Sequence, residues 1–216
     1  MTLVLPPWLH PLAGACADVR AEQLSRFLPP EEGGRESAVL VLLGSDERGP
    51  RDATGPHVLL IERAHDLRQH AGQPAFPGGV VDPGDSGPVA AALREAVEET
   101  GLDPSGVDVF GTLPRLHLPH TGFVVTPVLA WWRVPSPVRV VDPAEVASVH
   151  RVPVAELTDP ANRLRLRHPS GHVGPAFDVR GLLVWGFTAG LLDQLLRLGG
   201  WEKPWDRERV KEPPPT

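Results

Sequence analysis

Residues 79–102 read GVVDPGDSGPVAAALREAVEETGL, a loop followed by a segment that carries three closely spaced glutamates. The spacing predicts an α-helix over 88–100, because Pro88 suits the first turn of a helix and Gly101 suits its C-cap. At about 100° per residue, one face of this helix carries Val89, Leu93, Ala96, Val97 and Thr100. We expect the opposite, solvated face to carry Glu95, Glu98 and Glu99.

Three glutamates on one helical turn need a chemical explanation. Glu95, Glu98 and Glu99 stand at i, i+3 and i+4, where like charges repel by roughly a few tenths of a kcal/mol per pair. A divalent cation converts that repulsion into coordination, because Mg²⁺ prefers carboxylate and water oxygens. The alternative is a solvated helix face without a ligand. The preceding turn, Phe76-Pro77-Gly78-Gly79, favours the metal, since glycines let a phosphate approach the backbone closely.

The stretch from 79 to 102 resembles the Nudix box, G-x5-E-x7-R-E-U-x-E-E-x-G-U, in which U is an aliphatic residue. The run from Arg94 to Leu102 matches the second half of the box, with Ala96 at the first U position. Two departures lie in the loop before the helix. Asp85 stands in place of a glutamate, and eight residues rather than seven separate it from Arg94. The resemblance therefore leaves the role of Asp85 open.

The resemblance implies a role for each matching residue. Glu98 and Glu99 are implied as the main metal ligands, and Glu95 as a further ligand or as the base that acts on the attacking water. Arg94 is implied to orient a carboxylate of the box, the alternative being an ordinary surface pair with Glu98. The implied cofactor is Mg²⁺ or Mn²⁺, which neutralises phosphates and lowers the pKa of a coordinated water. A further carboxylate from outside the box has two candidates, Asp142 and Glu145.

A second pattern lies immediately upstream, in residues 59–79, LLIERAHDLRQHAGQPAFPGG. It is similar to the signature of the coenzyme A pyrophosphatase branch of Nudix proteins, L-L-T-x-R-[SA]-x3-R-x3-G-x3-F-P-G-G, with Ile61 in place of the threonine. The resemblance implies hydrolysis of coenzyme A or acyl-coenzyme A to 3′,5′-ADP and 4′-phosphopantetheine or its acyl form. Forked guanidinium groups suit phosphate recognition, so the candidate substrate-binding residues are Arg63, Arg68, Gly78 and Gly79.

Two alternatives to a coenzyme A pyrophosphatase are open. One is a Nudix hydrolase of another nucleoside diphosphate derivative, such as ADP-ribose or NADH. The other is a Nudix-fold binding protein without turnover. The intact Arg94, Glu95, Glu98 and Glu99 argue against this alternative, because a protein without turnover need not keep them. His117 and His120 are further candidates for substrate contact, whereas Trp185 and Phe187 are expected to pack in the core.

Composition and charge exclude several classes of function. The chain has 216 residues and a formal net charge of −6, which argues against broad electrostatic capture of nucleic acid. Its one cysteine, Cys16, excludes an internal disulfide and predicts a reducing, cytoplasmic location. No run reaches the ~20 apolar residues of a membrane span, and the N-terminus does not resemble a signal peptide. We expect a small-molecule partner, a nucleoside diphosphate of the coenzyme A type, and no nucleic acid or membrane partner. The sequence leaves open whether the chain forms a homodimer.

The order of predicted elements is that of an α+β domain. The resemblance implies the Nudix fold, an α/β/α sandwich with a mixed β-sheet. The expected organisation is an N-terminal helix and lead-in over 1–36, a Nudix hydrolase domain over 37–198 and a disordered tail over 199–216. The predicted elements are a helix over 17–28, strands over 37–43, 57–62, 107–113 and 122–134, a β-rich segment over 137–152, a strand over 162–167 and a helix over 182–198.

Overall fold

The computed structural model describes residues 3–30, 33–46, 55–67, 70–167 and 171–212. Within these residues, eight strands form one mixed sheet. The strands are β1 (Arg35–Asp46), β2 (Gly55–Arg63), β3 (Pro74–Ala75), β4 (Gly78–Val80), β5 (Val107–Thr112), β6 (Leu116–Leu118), β7 (Phe123–Trp132) and β8 (Val146–Pro153). The path through the sheet is β3-β2-β1-β7-β5, with β4 beside β1, β6 beside β7 and β8 beside β2.

The centre of this sheet is the parallel pair of β1 and β7. Their register runs without a break from Arg35 opposite Phe123 to Gly44 opposite Trp132. The other described pairs in the sheet are antiparallel. Parallel neighbours cannot be joined by a tight hairpin, and here the chain between them carries β2 to β6 and the acidic helix.

The helices lie on both faces of the sheet. They are α1 (His10–Cys16), α2 (Ala21–Leu24), α3 (Pro88–Thr100), α4 (Val154–Leu157) and α5 (Gly186–Leu198). Successive side chains of a strand point to opposite faces. Thus Val41 and Leu43 pack in the core shared with α1 and α5, whereas Leu40 and Leu42 pack in the core shared with α3. The predicted α+β class and α/β/α sandwich are confirmed.

The acidic helix has the predicted bounds. It runs from Pro88 to Thr100, and Gly101 ends it in the left-handed conformation, with φ of 66°. The Gly101 amide donates to the carbonyl of Val97 at 2.9 Å, as the predicted C-cap requires. The strands predicted from 37, 57, 107, 122 and 162 are confirmed as well.

Three element predictions were wrong. The helix predicted over 17–28 is replaced by α1 and a single turn, α2, because burial of Leu9 and Leu12 anchors the helix further upstream. The helix predicted over 182–198 begins only at Gly186, since residues 182–184 pair with the strand before them. Within the β-rich segment 137–152, strand structure begins only at Val146.

A second, smaller sheet lies after the first. Its strands are β9 (Arg163–Arg167), β10 (Val173–Val179), β11 (Leu182–Val184) and β12 (Val210–Lys211), in the order β11-β10-β9-β12. Because β12 belongs to the segment predicted to be disordered, the tail prediction needs correction over residues 199–212. Residues 213–216 of that prediction lie outside the described residues.

Aromatic side chains hold this tail against the fold. Trp201 packs on Trp8, with ring centroids 6.1 Å apart. The Arg163 guanidinium lies between the rings of Phe177 and Trp205, with Cζ at 4.6 Å and 4.5 Å from their centroids. The proline-rich composition of the tail predicted disorder, but its tryptophans supply apolar area that is buried on folding.

No helix among the residues that the structure describes combines the length and the apolar character needed to cross a membrane.

Candidate functional site

The acidic helix α3 does not present all three glutamates to solvent. Glu99 is buried, with 3% of its surface exposed, whereas Val97, predicted on the apolar face, is 36% exposed. The prediction of a solvated glutamate face is thus wrong for Glu99. The physical reason is that the helix packs through its small residues, Ala91, Ala92 and Ala96, and this centres the buried face nearer to Glu99.

Gly78 meets the buried end of this helix. Its backbone amide donates a hydrogen bond to Oε2 of Glu99 at 3.0 Å. Gly78 also pairs with Val39 in the β1–β4 ladder, and a Cβ at Gly78 would overlap the carbonyl oxygen of Ala38. The close approach of the β1 and β4 backbones therefore requires glycine at this position.

Gly79 makes room for a second carboxylate. A Cβ at this position would overlap the carboxylate of Glu95. The Glu95 side chain is 17% exposed, so it lies against the strand rather than extending into solvent. The two glycines predicted as substrate-binding residues are therefore adjacent to two of the three helix glutamates.

Arg94 links the carboxylates of this region. Its Nε and Nη2 atoms donate to both carboxylate oxygens of Asp85, at 3.1 Å and 3.0 Å. Its Nη1 donates to Glu95 at 3.1 Å and to Glu98 at 2.9 Å. A further bond from Nη2 reaches the carbonyl of Val80 at 3.1 Å. Arg94 is thus the centre of a network and not merely half of a surface pair.

This network also includes Asp85, a residue whose role the sequence left open. Asp85 accepts the forked bond from Arg94 and a second bond, at 2.9 Å, from the amide of Asp82. The hydrogen bonds from Arg94 lower the pKa of the Asp85 carboxyl below its usual range. A bidentate arginine–carboxylate pair fixes the plane of the guanidinium. Asp85 therefore orients Arg94, and the extra residue in the loop does not prevent this.

Burial and like charge act together on the helix carboxyls. The pKa of Glu99 is raised to about 8, mainly by burial and in part by the charges of Glu95 and Glu145, while the Gly78 hydrogen bond and the charge of Arg63 oppose the rise. Burial also raises the pKa of Glu95, where the guanidinium of Arg94 opposes the rise. Each carboxylate therefore lies in a place where added positive charge is favourable.

Of the two candidates outside the box, Glu145 is the one close to this cluster. Its charge acts on both Glu95 and Glu99. The carboxylate of Asp142 instead accepts from the amide of Ala144 at 2.8 Å and shapes a turn. An aspartate that caps the amide two residues on is a recognised turn signal, so the sequence held a reason to prefer Glu145.

Arg63 lies at the end of β2, beside the carboxylate cluster. Its charge lowers the pKa of Glu99. Its Nε atom is buried and has no hydrogen-bond partner among the described residues. A buried donor without a partner is costly, and an acceptor on a ligand would satisfy it. Arg68, the other predicted arginine, lies outside the described residues.

The remaining sequence candidates lie elsewhere. His117 is in β6 and His120 follows it, on the far side of β7 from β4. Neither histidine is part of the carboxylate cluster. Phe187 packs against the main core and Trp185 against a small cluster on the second sheet, as predicted for core residues.

The carboxylates fit a divalent cation without forming a complete cage. No three histidine, cysteine, aspartate or glutamate side chains of the described chain converge in a ready-made metal site. Mg²⁺ usually takes only one or two protein carboxylates, with water and substrate phosphates as the other ligands. The buried Glu99, with Glu95 and Glu145 nearby, is a donor set of that kind.

Comparison with known proteins identifies the family. A profile of the NUDIX domain matches residues 34–176, which include the glycine turn and the acidic helix. The chain belongs to the Nudix family. This Nudix chain is 42% identical over 178 residues to a Cronobacter sakazakii protein called uncharacterized Nudix hydrolase NudL, covering 79% of this chain and 85% of the relative. The Escherichia coli K12 protein of the same name is 39% identical over 173 residues, covering 76% and 83%.

The solved structures support the Nudix fold. The Nudix hydrolase RenU of M. smegmatis superimposes with a TM-score of 0.53 at 21% identity, covering 82% of this chain and 92% of that one. This likeness concerns the fold alone. Family membership and the relatives make the chain a Nudix pyrophosphohydrolase that acts on a nucleoside diphosphate derivative. Nudix hydrolases generally use divalent metals, which suits the acidic donor set described above.

Proposed function

We propose that this Nudix hydrolase cleaves the diphosphate of coenzyme A or acyl-coenzyme A. The products are 3′,5′-ADP and 4′-phosphopantetheine or its acyl form. The observation that carries the proposal is the meeting of the two sequence motifs. The coenzyme A pattern ends at Gly78 and Gly79, and these glycines lie against Glu99 and Glu95 of the Nudix box.

We assign the metal to the helix carboxylates, with Mg²⁺ or Mn²⁺ held by Glu98 and Glu99. When bound, the ion supplies positive charge to the diphosphate and lowers the pKa of a water. Glu99 is fixed by its bond to Gly78, whereas Glu98 has 57% of its side chain exposed and is accessible to a ligand. One rigid and one accessible carboxylate suit an ion shared between protein and phosphate.

Glu95 has two proposed roles that experiment can separate. As a base, it accepts the proton of the water that attacks phosphorus, and a raised pKa brings it closer to the operating pH. As a further ligand, it adds a third carboxylate to the ion. Glu95→Gln would leave metal affinity nearly unchanged in the first case and weaken it in the second. Titration with Mn²⁺, followed by electron paramagnetic resonance, measures the difference.

Arg94 and Asp85 are proposed as positioning residues. Arg94 holds the carboxylates of Glu95 and Glu98 at 3.1 Å and 2.9 Å, and Asp85 fixes the guanidinium from the other side. Neither residue needs to touch the reacting phosphorus. Groups that orient metal ligands commonly contribute about 10–100-fold to affinity or activity.

Arginines upstream of the box are proposed to bind the substrate phosphates. Arg63 supplies a buried Nε without a partner in the described structure, close to Glu99. Arg68 follows from the sequence pattern, and coenzyme A carries a 3′-phosphate besides its diphosphate. A forked guanidinium recognises such groups through two parallel hydrogen bonds. Gly78 and Gly79 are proposed to lie beside the bound phosphates, because they adjoin Glu99 and Glu95.

The deciding experiment is product analysis of the purified protein. Coenzyme A, acetyl-coenzyme A, ADP-ribose and NADH are each incubated with Mg²⁺ or Mn²⁺, and the products are separated by chromatography. We expect 3′,5′-ADP and 4′-phosphopantetheine to form fastest. Faster cleavage of ADP-ribose or NADH would refute the coenzyme A proposal and leave the family assignment intact.

One variant tests the substrate assignment from the protein side. Arg68→Ala is expected to reduce kcat/KM for coenzyme A more than for ADP-ribose, because only coenzyme A has the 3′-phosphate. Arg197→Ala is a matched control, since this exposed arginine bonds to Gln194 on α5. Equal losses with both substrates would remove Arg68 from 3′-phosphate recognition.

We also propose domain bounds for this hydrolase. The catalytic domain spans residues 37–198, preceded by the lead-in 1–36. The family match ends at residue 176, but α5 packs in the same core as β1, so the proposed domain includes α5. Limited proteolysis tests these bounds, and a stable fragment ending before Gly186 would contradict them.

A further inference from the structure

An open cavity of about 680 Å³ shares no lining residue with the carboxylate cluster. No aspartate or glutamate of the described chain lines it. Its polar lining consists of two guanidinium groups and two imidazoles, and one phenyl ring adds an aromatic surface, from Arg26, Arg165, His120, His172 and Phe27. The volume lies within the range of small-molecule sites, and the lining favours negative charge.

The two arginines of this cavity are not neutralised by any described carboxylate. Arg165 is half-buried, and its Nη2 donates to the carbonyl of Val173 at 3.5 Å. Arg26 lies over the ring of Phe27, with Cζ 4.6 Å from the centroid. Of the other described arginines, seven form ion pairs with acids, namely Arg94, Arg115, Arg133, Arg163, Arg167, Arg180 and Arg207. Guanidinium groups without an acid partner are suited to bind phosphate.

The exposed ring of Phe27 indicates which class of anionic ligand the cavity would bind. Its ring is 40% exposed, although a phenyl group is normally buried. An exposed ring beside cationic groups can stack with a planar base while the arginines hold a phosphate. A simple inorganic anion would use the guanidinium groups and leave the ring exposed. The lining as a whole therefore matches a nucleoside phosphate.

The sheet separates this cavity from the hydrolytic cluster. The amide of His117 bonds to the carbonyl of Phe27, and His117 pairs with Val124 of β7. Val124 is opposite Glu36 of β1, whose carbonyl accepts from Val81, just after β4. Four steps between neighbouring chains, at about 4.8 Å each, span about 19 Å. The two phosphates of one diphosphate lie much closer together than this.

We propose that the cavity is a second binding site, specific for a nucleoside phosphate and separate from the centre that cleaves the diphosphate. Arg26 and Arg165 bind the phosphate, and Phe27 stacks with the base. The proposal rests on the lining of the cavity and does not depend on which diphosphate is hydrolysed. AMP and 3′,5′-ADP are suitable probes because both combine a base with phosphate monoesters.

Titration calorimetry of the metal-free protein tests the proposal. AMP, 3′,5′-ADP, adenosine and inorganic phosphate are titrated separately. We expect both nucleotides to bind more tightly than adenosine or phosphate alone. Arg26→Ala and Arg165→Ala are each expected to weaken nucleotide binding about tenfold, the usual effect of losing a hydrogen bond to a charged group. Phe27→Ala should reduce the preference for AMP over phosphate.

Control variants distinguish the two sites. Arg63→Ala and Glu98→Gln, which alter the proposed hydrolytic centre, should keep AMP binding unchanged, and so should Arg197→Ala. These control titrations use AMP because 3′,5′-ADP is a product of the proposed reaction and is expected to bind the hydrolytic centre as well. Because Arg165 is half-buried, the exposed Arg26→Glu provides a charge reversal with little risk to folding. Absence of AMP binding, unchanged AMP affinity in both Arg26 variants, or loss of AMP affinity in Arg63→Ala would overturn the proposal.

Discussion

The backbone amide of Gly78 donates to Oε2 of Glu99 at 3.0 Å, on a helix that begins ten residues further along the chain. The bond favours the charged form of a carboxyl that burial would otherwise keep protonated. Glu99 is thereby held beside β4, although burial outweighs this bond and raises its pKa to about 8. The stability of the metal-free protein should therefore depend on the protonation of Glu99.

The first prediction concerns pH and stability. Folding raises the pKa of Glu99 from its ordinary value of 4.5 to about 8. Between these values the folded protein binds more protons than the unfolded chain, so the free energy of unfolding falls as pH rises through this window. Glu99→Gln should flatten the fall and make the metal-free protein more stable at pH 8. Urea unfolding in the presence of a chelator, at pH 5 and pH 8, measures both effects.

Glu36→Gln is the control for this experiment. Glu36 is exposed and pairs with Arg115 at 2.9 Å, so its removal should leave the pH dependence unchanged. If Glu99→Gln and the parent protein lose stability in parallel as pH rises, Glu99 does not carry the effect.

The second prediction compares two adjacent glycines. Gly78→Ala places a methyl group against the backbone oxygen of Ala38, which cannot move without disturbing β1. We expect a loss of about 1–3 kcal/mol in unfolding free energy. Gly79→Ala meets only the end of the Glu95 side chain, which can swing away. Activity should fall strongly in Gly79→Ala, while thermal stability changes little.

Thermal unfolding and initial rates of the two variants separate these effects. Full activity in Gly79→Ala would show that the position of the Glu95 carboxylate is unimportant for turnover. A normal melting temperature in Gly78→Ala would contradict the close packing of β4 on β1.

The third prediction concerns Asp85. Asp85→Asn removes the charge that fixes the Arg94 guanidinium but keeps the size of the side chain. Because Asp85 acts through Arg94, kcat should fall about 10–100-fold while KM changes little. Asp85→Glu keeps the charge and should retain more activity than Asp85→Asn. Steady-state kinetics with saturating metal distinguish these cases, and a parent-like kcat in Asp85→Asn would reject the positioning role.

The fourth prediction concerns the exposed carboxylate of the box. Glu98→Gln removes a proposed metal ligand from a side chain that is 57% exposed, so folding should be unaffected. The rate should fall by at least about 100-fold, since charge stabilisation by a metal commonly contributes several kcal/mol. Initial rates at saturating Mg²⁺ are compared with those of Glu36→Gln. A folded Glu98→Gln enzyme with a near-normal rate would remove Glu98 from the metal site.

Periodicity predicted the helix carrying the box, and its caps predicted both of its ends. The same periodicity predicted wrongly that Glu99 would be exposed. The predicted direction of the buried helix face depended too much on Val97 and too little on the alanines. Small side chains set how closely a helix approaches a sheet, and a hydrophobic pattern does not measure that distance. The burial of Glu99 became evident only with the strand it faces.

Other features depended on contacts between distant parts of the chain. The role of Asp85 follows from its bond to Arg94 across a loop whose length differs from the family pattern. The tail was predicted to be disordered because prolines near the C-terminus outweighed Trp201 and Trp205. Its packing depends on Trp8 and on Arg163, which are remote in sequence and carried no signal of the contact.

The central parallel pair of strands has a consequence for how the chain assembles. β1 ends at Asp46 and β7 begins at Phe123, so the pairing of these two strands closes a long loop. Pairings of this kind cost chain entropy first and slow folding. During synthesis, the sheet that holds the glutamates of the site is complete only after β8, which ends at Pro153, has left the ribosome. Until β7 has been made, β1 must remain unpaired on the side that β7 will occupy.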